Sequence, residues 1–392
     1  YSNYILESDS VMQGKIYPFL DLAGCGVAFK LVQALQTRLE GLEEGQEKWL
    51  LDLVALGTVC DIVTLLDENR VNVFYGLKVL AQTRRPGLRA LMAVAGVKPE
   101  TVTARHLGFS LGPRMNAAGR LETAQYALDM LRADTSELAL EKAEQLDAMN
   151  QARRTEQDRI FKEALVQAEQ LINDPVLVVS SSGWSHGIIG IVAAKLLEKY
   201  KKPTYVLEEM GKEAKGSARS YGDFSAADAI RASDDIITKG GGHKFAAGVT
   251  LPTKNIDTFR QRVNEFYHEQ QLSDQAQLLL PKADVTAALS DVTEALITQM
   301  STLEPFGSGN PAPILCSRSV VVLYVRRMGA DGQHVKLTVD DRQTKLEMLA
   351  FNAPEHFFAE IGSSVHVWYQ PDINEWQGRR SVEGRLLHVE LA

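Results

Sequence analysis

Between residues 134 and 172 there is neither glycine nor proline, so one helix can run the whole stretch unbroken. Asp134 with Glu137 resembles a capping box at its start. The centre, 151–159, carries almost no apolar residue besides Ala152. A helix that is polar all round commonly bridges two domains. The stretch 134–172 is therefore expected to be a connecting helix, with separately folded parts before and after it.

The flanking sequence differs on the two sides. Residues 1–133 read as mostly helical. Leu22, Val27, Leu31, Leu35 and Leu39 recur at helical spacing, and Trp49, Leu50, Leu53 and Leu56 mark a second helix that stops near Gly57. A third follows Glu68, with Val71, Phe74, Leu77 and Leu80 on one side. These stripes are expected to be core. Residues 173–272 alternate in type: strand at 176–179, helix at 187–200, strand at 204–207, helix at 225–238, strand at 246–251. That pattern describes a small α/β domain. From 273 to 392 the character is all-β, with short runs at 320–325, 334–339, 345–350, 364–369 and 380–389 separated by turn residues. About five short strands suit a small barrel of the OB type. The expected class is α/β followed by a β-barrel.

Bulk properties narrow the function. A net charge of −8 argues against a body coated for non-specific nucleic-acid binding, though not against a local basic channel. Cys25, Cys60 and Cys316 are far apart in sequence and lack CxxC spacing, which argues against a disulfide framework or a zinc site and fits a reducing cytoplasm. No apolar run approaches the ~18 residues needed to span a bilayer, so no membrane role is expected. The chain opens on Tyr1 within folded-looking sequence, so a piece of a longer protein is expected.

Five clusters carry polar chemistry. Residues 52–61, Asp-Leu-Val-Ala-Leu-Gly-Thr-Val-Cys-Asp, place Asp61 among apolar neighbours, where a carboxylate needs a pairing group or a cation. A helix cap or salt bridge reads equally from the spacing. Residues 112–120, Gly-Pro-Arg-Met-Asn-Ala-Ala-Gly-Arg, put Arg114, Asn116 and Arg120 in what reads as a loop, and a guanidinium fork matches a phosphate. A turn with solvated arginines is the alternative. Residues 182–187, Ser-Gly-Trp-Ser-His-Gly, form a strand–loop–helix entry that suits an anion, with His186 beside it. Ser217 and Arg219 alternate within 215–220, so on a strand they share one face. Residues 240–248, Gly-Gly-Gly-His-Lys-Phe-Ala-Ala-Gly, offer a backbone nest at Gly241 and Gly242 with His243 next to it.

In this order the clusters resemble the RecJ family of bacterial single-strand-specific DNA exonucleases, within the DHH phosphoesterase superfamily. Residues 17–30 (Tyr-Pro-Phe-Leu-Asp-Leu-Ala-Gly-Cys-Gly-Val-Ala-Phe-Lys) look like the segment following that superfamily's Asp-His-His motif. Residues 303–311 (Leu-Glu-Pro-Phe-Gly-Ser-Gly-Asn-Pro) and 374–380 (Asn-Glu-Trp-Gln-Gly-Arg-Arg) look like OB-domain signatures. The resemblance implies the C-terminal part of a DHH domain over 1–133, a connecting helix over 134–172, a DHH-associated domain over 173–272 and an OB-like domain over 273–392. It implies 5′-to-3′ hydrolysis of single-stranded DNA with two Mn²⁺ or Mg²⁺ ions, in DNA repair and recombination. Asp61 would be a catalytic metal ligand and His243 would lie beside the scissile phosphate. Arg114, Asn116, Arg120, His186, Ser217, Arg219, Gly241 and Gly242 would hold the substrate, while Asp52 would be structural. Single-stranded DNA is the implied partner, with a single-strand-binding protein and a helicase beside it.

One departure is plain: no Asp-His-His occurs, and no histidine precedes His106. The remaining metal ligands are therefore expected upstream of Tyr1, and the chain alone is expected to bind single strands without cutting them. In the mechanism implied, two ions about 3.5–4 Å apart activate water and stabilise the leaving oxygen. Tyr324 and Trp376 are candidates for stacking on bases. The rivals are a DHH phosphoesterase of short oligonucleotides and a catalytically dead single-strand-binding relative.

Overall fold

The structure, a computed structural model, describes residues 17–41, 43–272, 276–376 and 378–392. In chain order its main helices are α1 (Gly24–Gln36), α2 (Leu51–Cys60), α3 (Asp67–Leu80), α4 (Pro86–Val94), α5 (Gly112–Leu121), α6 (Gln125–Leu131), α7 (Ser136–Gln170), α8 (His186–Tyr200), α9 (Ala226–Arg231), α10 (Ile256–Glu269) and α11 (Glu294–Met300). The strands are β1 (Leu177–Ser182), β2 (Thr204–Met210), β3 (Glu213–Arg219), β4 (Lys239–His243), β5 (Ala246–Pro252), β6 (Val285–Thr286), β7 (Leu315–Met328), β8 (His334–Asp340), β9 (Lys345–Ala350), β10 (Ser364–Trp376) and β11 (Arg379–Leu391). They form two compact units. The first takes described residues from 1–83, 98–109 and 280–392, the second 84–97 and 110–279.

In the first unit, α2 and α3 pack through small and polar residues rather than through the expected stripe. Asn69, Asn72, Val73, Gly76 and Leu80 face inward on α3, whereas Val71 and Phe74 are exposed. The reason is Gly76: a Cβ there would stand 2.3 Å from the Leu51 carbonyl oxygen, so only glycine lets the helices approach this closely. Asn69 tolerates burial because its Nδ2 donates to the carbonyls of Asp21 (2.6 Å) and Thr64 (3.0 Å). Leu31, Leu35 and Leu39 are likewise exposed, and α1 buries Gly26 and Phe29 instead. Gly57 does not end α2. The helix runs on to Cys60, and Gly57 faces Cys25, whose Sγ would lie 2.7 Å from an added Cβ.

The barrel of this unit runs β7-β8-β9-β11-β10 and closes by pairing β10 with β7. β9 and β11 are parallel, the other barrel pairs antiparallel. The strict alternation along β8 buries Val335, Leu337 and Val339, which meet Val322, Met348, Val365, Val367 and Tyr369 inside. Tyr369 keeps its hydroxyl paired with Ser317 Oγ at 2.9 Å, and burial pushes its pKa up to about 12.

Asp341, in the β8–β9 turn, organises the barrel mouth. Its carboxylate accepts from the backbone N–H groups of Gln343 (3.0 Å), Thr344 (2.8 Å) and Leu289 (3.0 Å). Burial pushes its pKa up, but the three donors outweigh it and hold the carboxyl below its usual value. A folded pKa below the unfolded one gives stability that is present above the usual carboxylate range and lost as pH falls through the folded value. Asp341→Ala is expected to cost about 2 kcal/mol at neutral pH. Denaturant unfolding of both proteins, at neutral pH and again at a pH below the usual carboxylate range, should show that gap closing as the carboxyl takes up its proton. An equal gap at both pH values would refute the assignment.

The second unit centres on a five-stranded sheet of order β1-β2-β3-β5-β4. β1 and β2 are parallel, joined through α8, and the other pairs are antiparallel. One sheet face packs Tyr205, Leu207, Ala214, Ala218, Val249 and Leu251 against α9 and α10. The other packs Leu177, Val179 and Val206 under α8 and the C-terminal half of α7. The N-terminal half of α7 packs on α4, α5 and α6, so the whole helix belongs to this unit. Its cap is Thr135, whose side chain accepts from Leu138 N, one residue later than expected. Its polar centre is not all solvated: Asn150, Arg153 and Gln157 are buried and bonded to one another.

Three further expectations change. Residues 112–120 form helix, not loop, because Pro113 sits in the first turn of α5, where no N–H is needed. The helix expected over 225–238 ends at Arg231, leaving room for a turn and then β4. The glycine run is that strand rather than a nest, since residues 239–243 pair antiparallel with 246–250.

Candidate functional site

The register of β3, β5 and β4 sets three cross-strand rows on one sheet face. They are Arg219–Ala246–His243, Ser217–Gly248–Gly241 and Lys215–Thr250–Lys239. Directly paired residues on antiparallel strands point to the same side. The first and last columns are two strand spacings apart, about 10 Å, and successive rows are about 6.7 Å apart. The opposite side of these strands is core, so this side is the open one. Its middle is bare. A Cβ on Gly241 would meet nothing within 4 Å, and on Gly248 only the Gly216 carbonyl at 3.7 Å. The result is a trough of about 380 Å³, lined among others by His186, Lys215, Lys239, Gly241, Gly248 and Thr250.

The first turn of α8 walls one side. A Cβ on Gly190 would stand 2.9 Å from Ser217 Oγ and 3.1 Å from Arg219 Nη2, so glycine makes room for both groups. His186 opens α8 and is exposed, following the buried Trp184, which donates to Glu163 Oε2 at 2.8 Å. Arg219 Nη1 donates to Ala218 O (2.7 Å) and Ser217 Oγ (3.2 Å). Burial first, then Arg120, hold its guanidinium below the usual pKa. A cation carrying that cost, with no ion pair to a carboxylate among the described residues, is set to receive an anion.

Arg120 ends α5 and reaches α8, donating from Nη1 to Gly187 O at 2.9 Å. Gly187 in turn abuts Arg120: a Cβ there would lie 2.3 Å from its carbonyl oxygen. Arg114 is committed elsewhere, its Nε paired with Asp147 Oδ1 (2.8 Å) and its Nη1 with Ser110 O (2.7 Å). Asn116 is exposed on α5. His243, Gly241 and Gly242 are exposed on the edge strand β4. Thus Ser217, Arg219, Gly241 and His243 share one sheet face, His186 lines the trough together with Gly241, Arg120 donates to the backbone of α8, and Arg114 is tied to α7.

Sequence reasoning missed two features. Lys215 follows the same alternation as Ser217 and Arg219, so period two could have found it. Arg153 could not be found this way. It is buried on α7, donates to Asn150 Oδ1 and Gln157 Oε1 (3.0 Å each), and keeps its Nε without a partner. Burial first, then Arg154 and Arg120, lower its pKa, so Arg120 acts on both Arg153 and Arg219.

Asp61 lies in the first unit. It caps α2 and is exposed, not buried among its apolar neighbours as expected, because the chain turns outward there and Ile62 takes a positive φ of 58°. The thiols beside it stay protonated: burial first pushes Cys60 up to about 11, and burial also raises Cys25. Among the described residues no group of three or more His, Cys, Asp or Glu could hold a metal ion. These residues by themselves do not fit a two-ion site. Asp52 is buried, its Oδ2 accepting from Thr83 Oγ1 at 2.8 Å. On the barrel, Tyr324 is exposed, while the Trp376 side chain and Gln377 lie outside the described residues. No helix among the described residues is long and apolar enough to cross a membrane.

A family profile described as the DHHA1 domain matches residues 173–269, and one described as the RecJ OB domain matches 283–388. The chain is 37% identical over 372 residues to the single-stranded-DNA-specific exonuclease RecJ of Bacillus subtilis, covering 94% of this chain and 46% of that protein. It is 33% identical over 395 residues to the protein of that name from Dickeya dadantii, covering 95% and 68%. The crystal structure of RecJ in complex with Mn²⁺ from Thermus thermophilus matches with a TM-score of 0.80 at 27% identity, covering 94% of this chain and 53% of that one. The Mg²⁺ complex from the same organism matches at 0.79 and 28%, covering 94% and 56%. The chain therefore spans about half the length of its Bacillus relative.

Proposed function

This chain belongs to the RecJ family, and from that premise we propose that it is the substrate-holding part of a single-stranded-DNA-specific 5′-to-3′ exonuclease. The observation that carries the reading is the sheet face that sets Ser217 and Arg219 on β3 and His243 about two strand spacings from Arg219, with the bare glycines Gly241 and Gly248 in the Ser217 row. A phosphate is the group this arrangement fits. Arg219 offers a fixed fork, Ser217 a hydroxyl, and Gly241 and Gly248 the clearance for a sugar-phosphate backbone to lie close to the sheet. His243 shares a row with Arg219 across the small Ala246, so it can donate a hydrogen bond or a proton to the phosphate held there. His186, at the α8 entrance, is a second donor on the rim.

In this reading the four parts are 1–133, 134–172, 173–272 and 273–392, as the resemblance divides them. The barrel supplies the grip on the unpaired strand, with Tyr324 among its stacking residues. In the whole protein Asp61 would help to hold Mn²⁺ or Mg²⁺, whose chemistry would be activation of the attacking water, and it is the one motif carboxylate of the described residues assigned to that role. A single-strand-binding protein and a helicase are proposed partners, in repair and recombination in the cytoplasm.

The test follows release of nucleotides from a 5′-phosphorylated, 3′-labelled single strand with Mn²⁺, using the product of the complete reading frame. Digestion of the single strand, sparing of a blunt duplex and of a dinucleotide, and loss of activity in Asp61→Ala are expected. Cleavage of the dinucleotide with an untouched long strand would instead identify a short-oligonucleotide phosphoesterase.

A further inference from the structure

We propose that the trough holds a second phosphate subsite, made by Lys215, Lys239 and Thr250, one row beyond Ser217 and away from Arg219 and His243. The inference rests on the reading that Ser217 and Arg219 take a phosphate. Lys215 and Lys239 stand in register on either side of Thr250, so two ammonium groups flank one hydroxyl on the same sheet face. Neither lysine forms an ion pair or side-chain hydrogen bond among the described residues. Glu208 stands opposite Lys215 on β2, yet the two are not ion-paired.

Two ammonium groups about 10 Å apart gain nothing from one another, and neither is ion-paired, so folding alone does not account for placing both in one row. Guarding a sheet edge would account for Lys239, which lies on the terminal strand β4. It does not account for Lys215, which is on the interior strand β3 and half-buried. Both lysines line the same cavity of about 380 Å³ as the bare Gly241 and Gly248. The row lies about 6.7 Å from the Ser217 row, close to one nucleotide step of an extended strand. The group that fits is therefore a second phosphate, continuous with the one at Ser217. It has two sources: the next phosphodiester of the DNA, or the outer phosphates of a 5′-triphosphorylated end.

The experiment compares the 392-residue chain with Lys215→Met/Lys239→Met, using Lys254→Met, an exposed site outside the trough, as control. Fluorescence anisotropy reads binding of labelled oligothymidylate bearing a 5′-monophosphate or a 5′-triphosphate, and calorimetry reads binding of inorganic tripolyphosphate. The double variant should bind about tenfold or more weakly, with a salt slope shallower by about 0.7–1.4, an unchanged melting temperature and an unaffected control. Equal loss on both oligonucleotides assigns the subsite to the phosphodiester backbone, and loss confined to the triphosphate assigns it to the outer phosphates. Wild-type affinity for all three probes in the double variant overturns the subsite and leaves the DNA reading standing. Lysine-dependent binding of tripolyphosphate without any binding of DNA keeps the subsite and overturns the DNA reading. A wild-type chain that binds none of the probes overturns both.

Discussion

Gly241→Val is expected to leave the protein as stable as the wild type, or about 0.5–1 kcal/mol more stable, while its grip on single-stranded DNA falls about a hundredfold. Three adjacent glycines on β4 have three different reasons to be glycine. At Gly240 a Cβ would lie 2.3 Å from Ile230 Cγ2, so the core forbids it. At Gly242 φ is 142° and a Cβ would lie 2.6 Å from Ala246 O, so the backbone forbids it. At Gly241 neither holds: φ is not positive and nothing lies within 4 Å. Inside a strand glycine costs stability relative to a β-branched residue, so its value must lie in the space above it. A valine there would fill the middle row and keep a backbone from lying on the sheet. Thermal unfolding and anisotropy with a 5′-phosphorylated single strand check both halves. A Gly241→Val protein that binds DNA normally would remove the trough from the substrate path. One that unfolds would show the glycine to be structural after all.

Much of this arrangement was readable in the residues, and the failures share a cause. Period-two patterns were reliable because side chains alternate across a strand whatever its partners. That rule placed Ser217 and Arg219 on one face and located the barrel strands, although β7, β10 and β11 run longer than expected. Helical faces were less reliable, because apolarity is a poor guide where close approach decides. In α3 the inward face contains Gly76 and two asparagines, and the apolar Val71 and Phe74 face out. Nothing local in 67–80 reveals that the Leu51 carbonyl lies against Gly76. Glycine and proline misled in the same way. They suggested a loop over 112–120 and a nest over 240–242, but their roles depend on what lies opposite: an open first helical turn for Pro113, and the distant pairing with 246–250 for the glycines. Arg153 was hidden for the complementary reason, since a polar run gives no sign of which residues a tertiary contact will bury.

The charge arrangement around Arg219 makes its own prediction. Arg219→Met is expected to lower kcat/KM of the complete enzyme on 5′-phosphorylated single strands by roughly 10- to 150-fold, the equivalent of about 1.5–3 kcal/mol for one charged hydrogen-bonded contact. The same change should leave folding stability equal or slightly higher. The guanidinium is partly buried, is opposed by Arg120 and has no carboxylate partner among the described residues, so the apoprotein bears its desolvation without an electrostatic return. Methionine keeps the stem packed against α8 and removes only the charge and the donors. Arg219→Lys should recover part of the loss, since a point charge replaces a fork held in place by Ser217 Oγ and Ala218 O. The effect should be largest on 5′-phosphorylated substrate and small on a 5′-hydroxyl strand, because only the former places a full anion at the site. A structural role predicts the reverse pattern: lower stability, and equal loss on both substrates. Steady-state kinetics on the two strands together with denaturant unfolding separate these outcomes. Equal kcat/KM for wild type and Arg219→Met on the phosphorylated strand would end the assignment of Ser217 and Arg219 as its phosphate site.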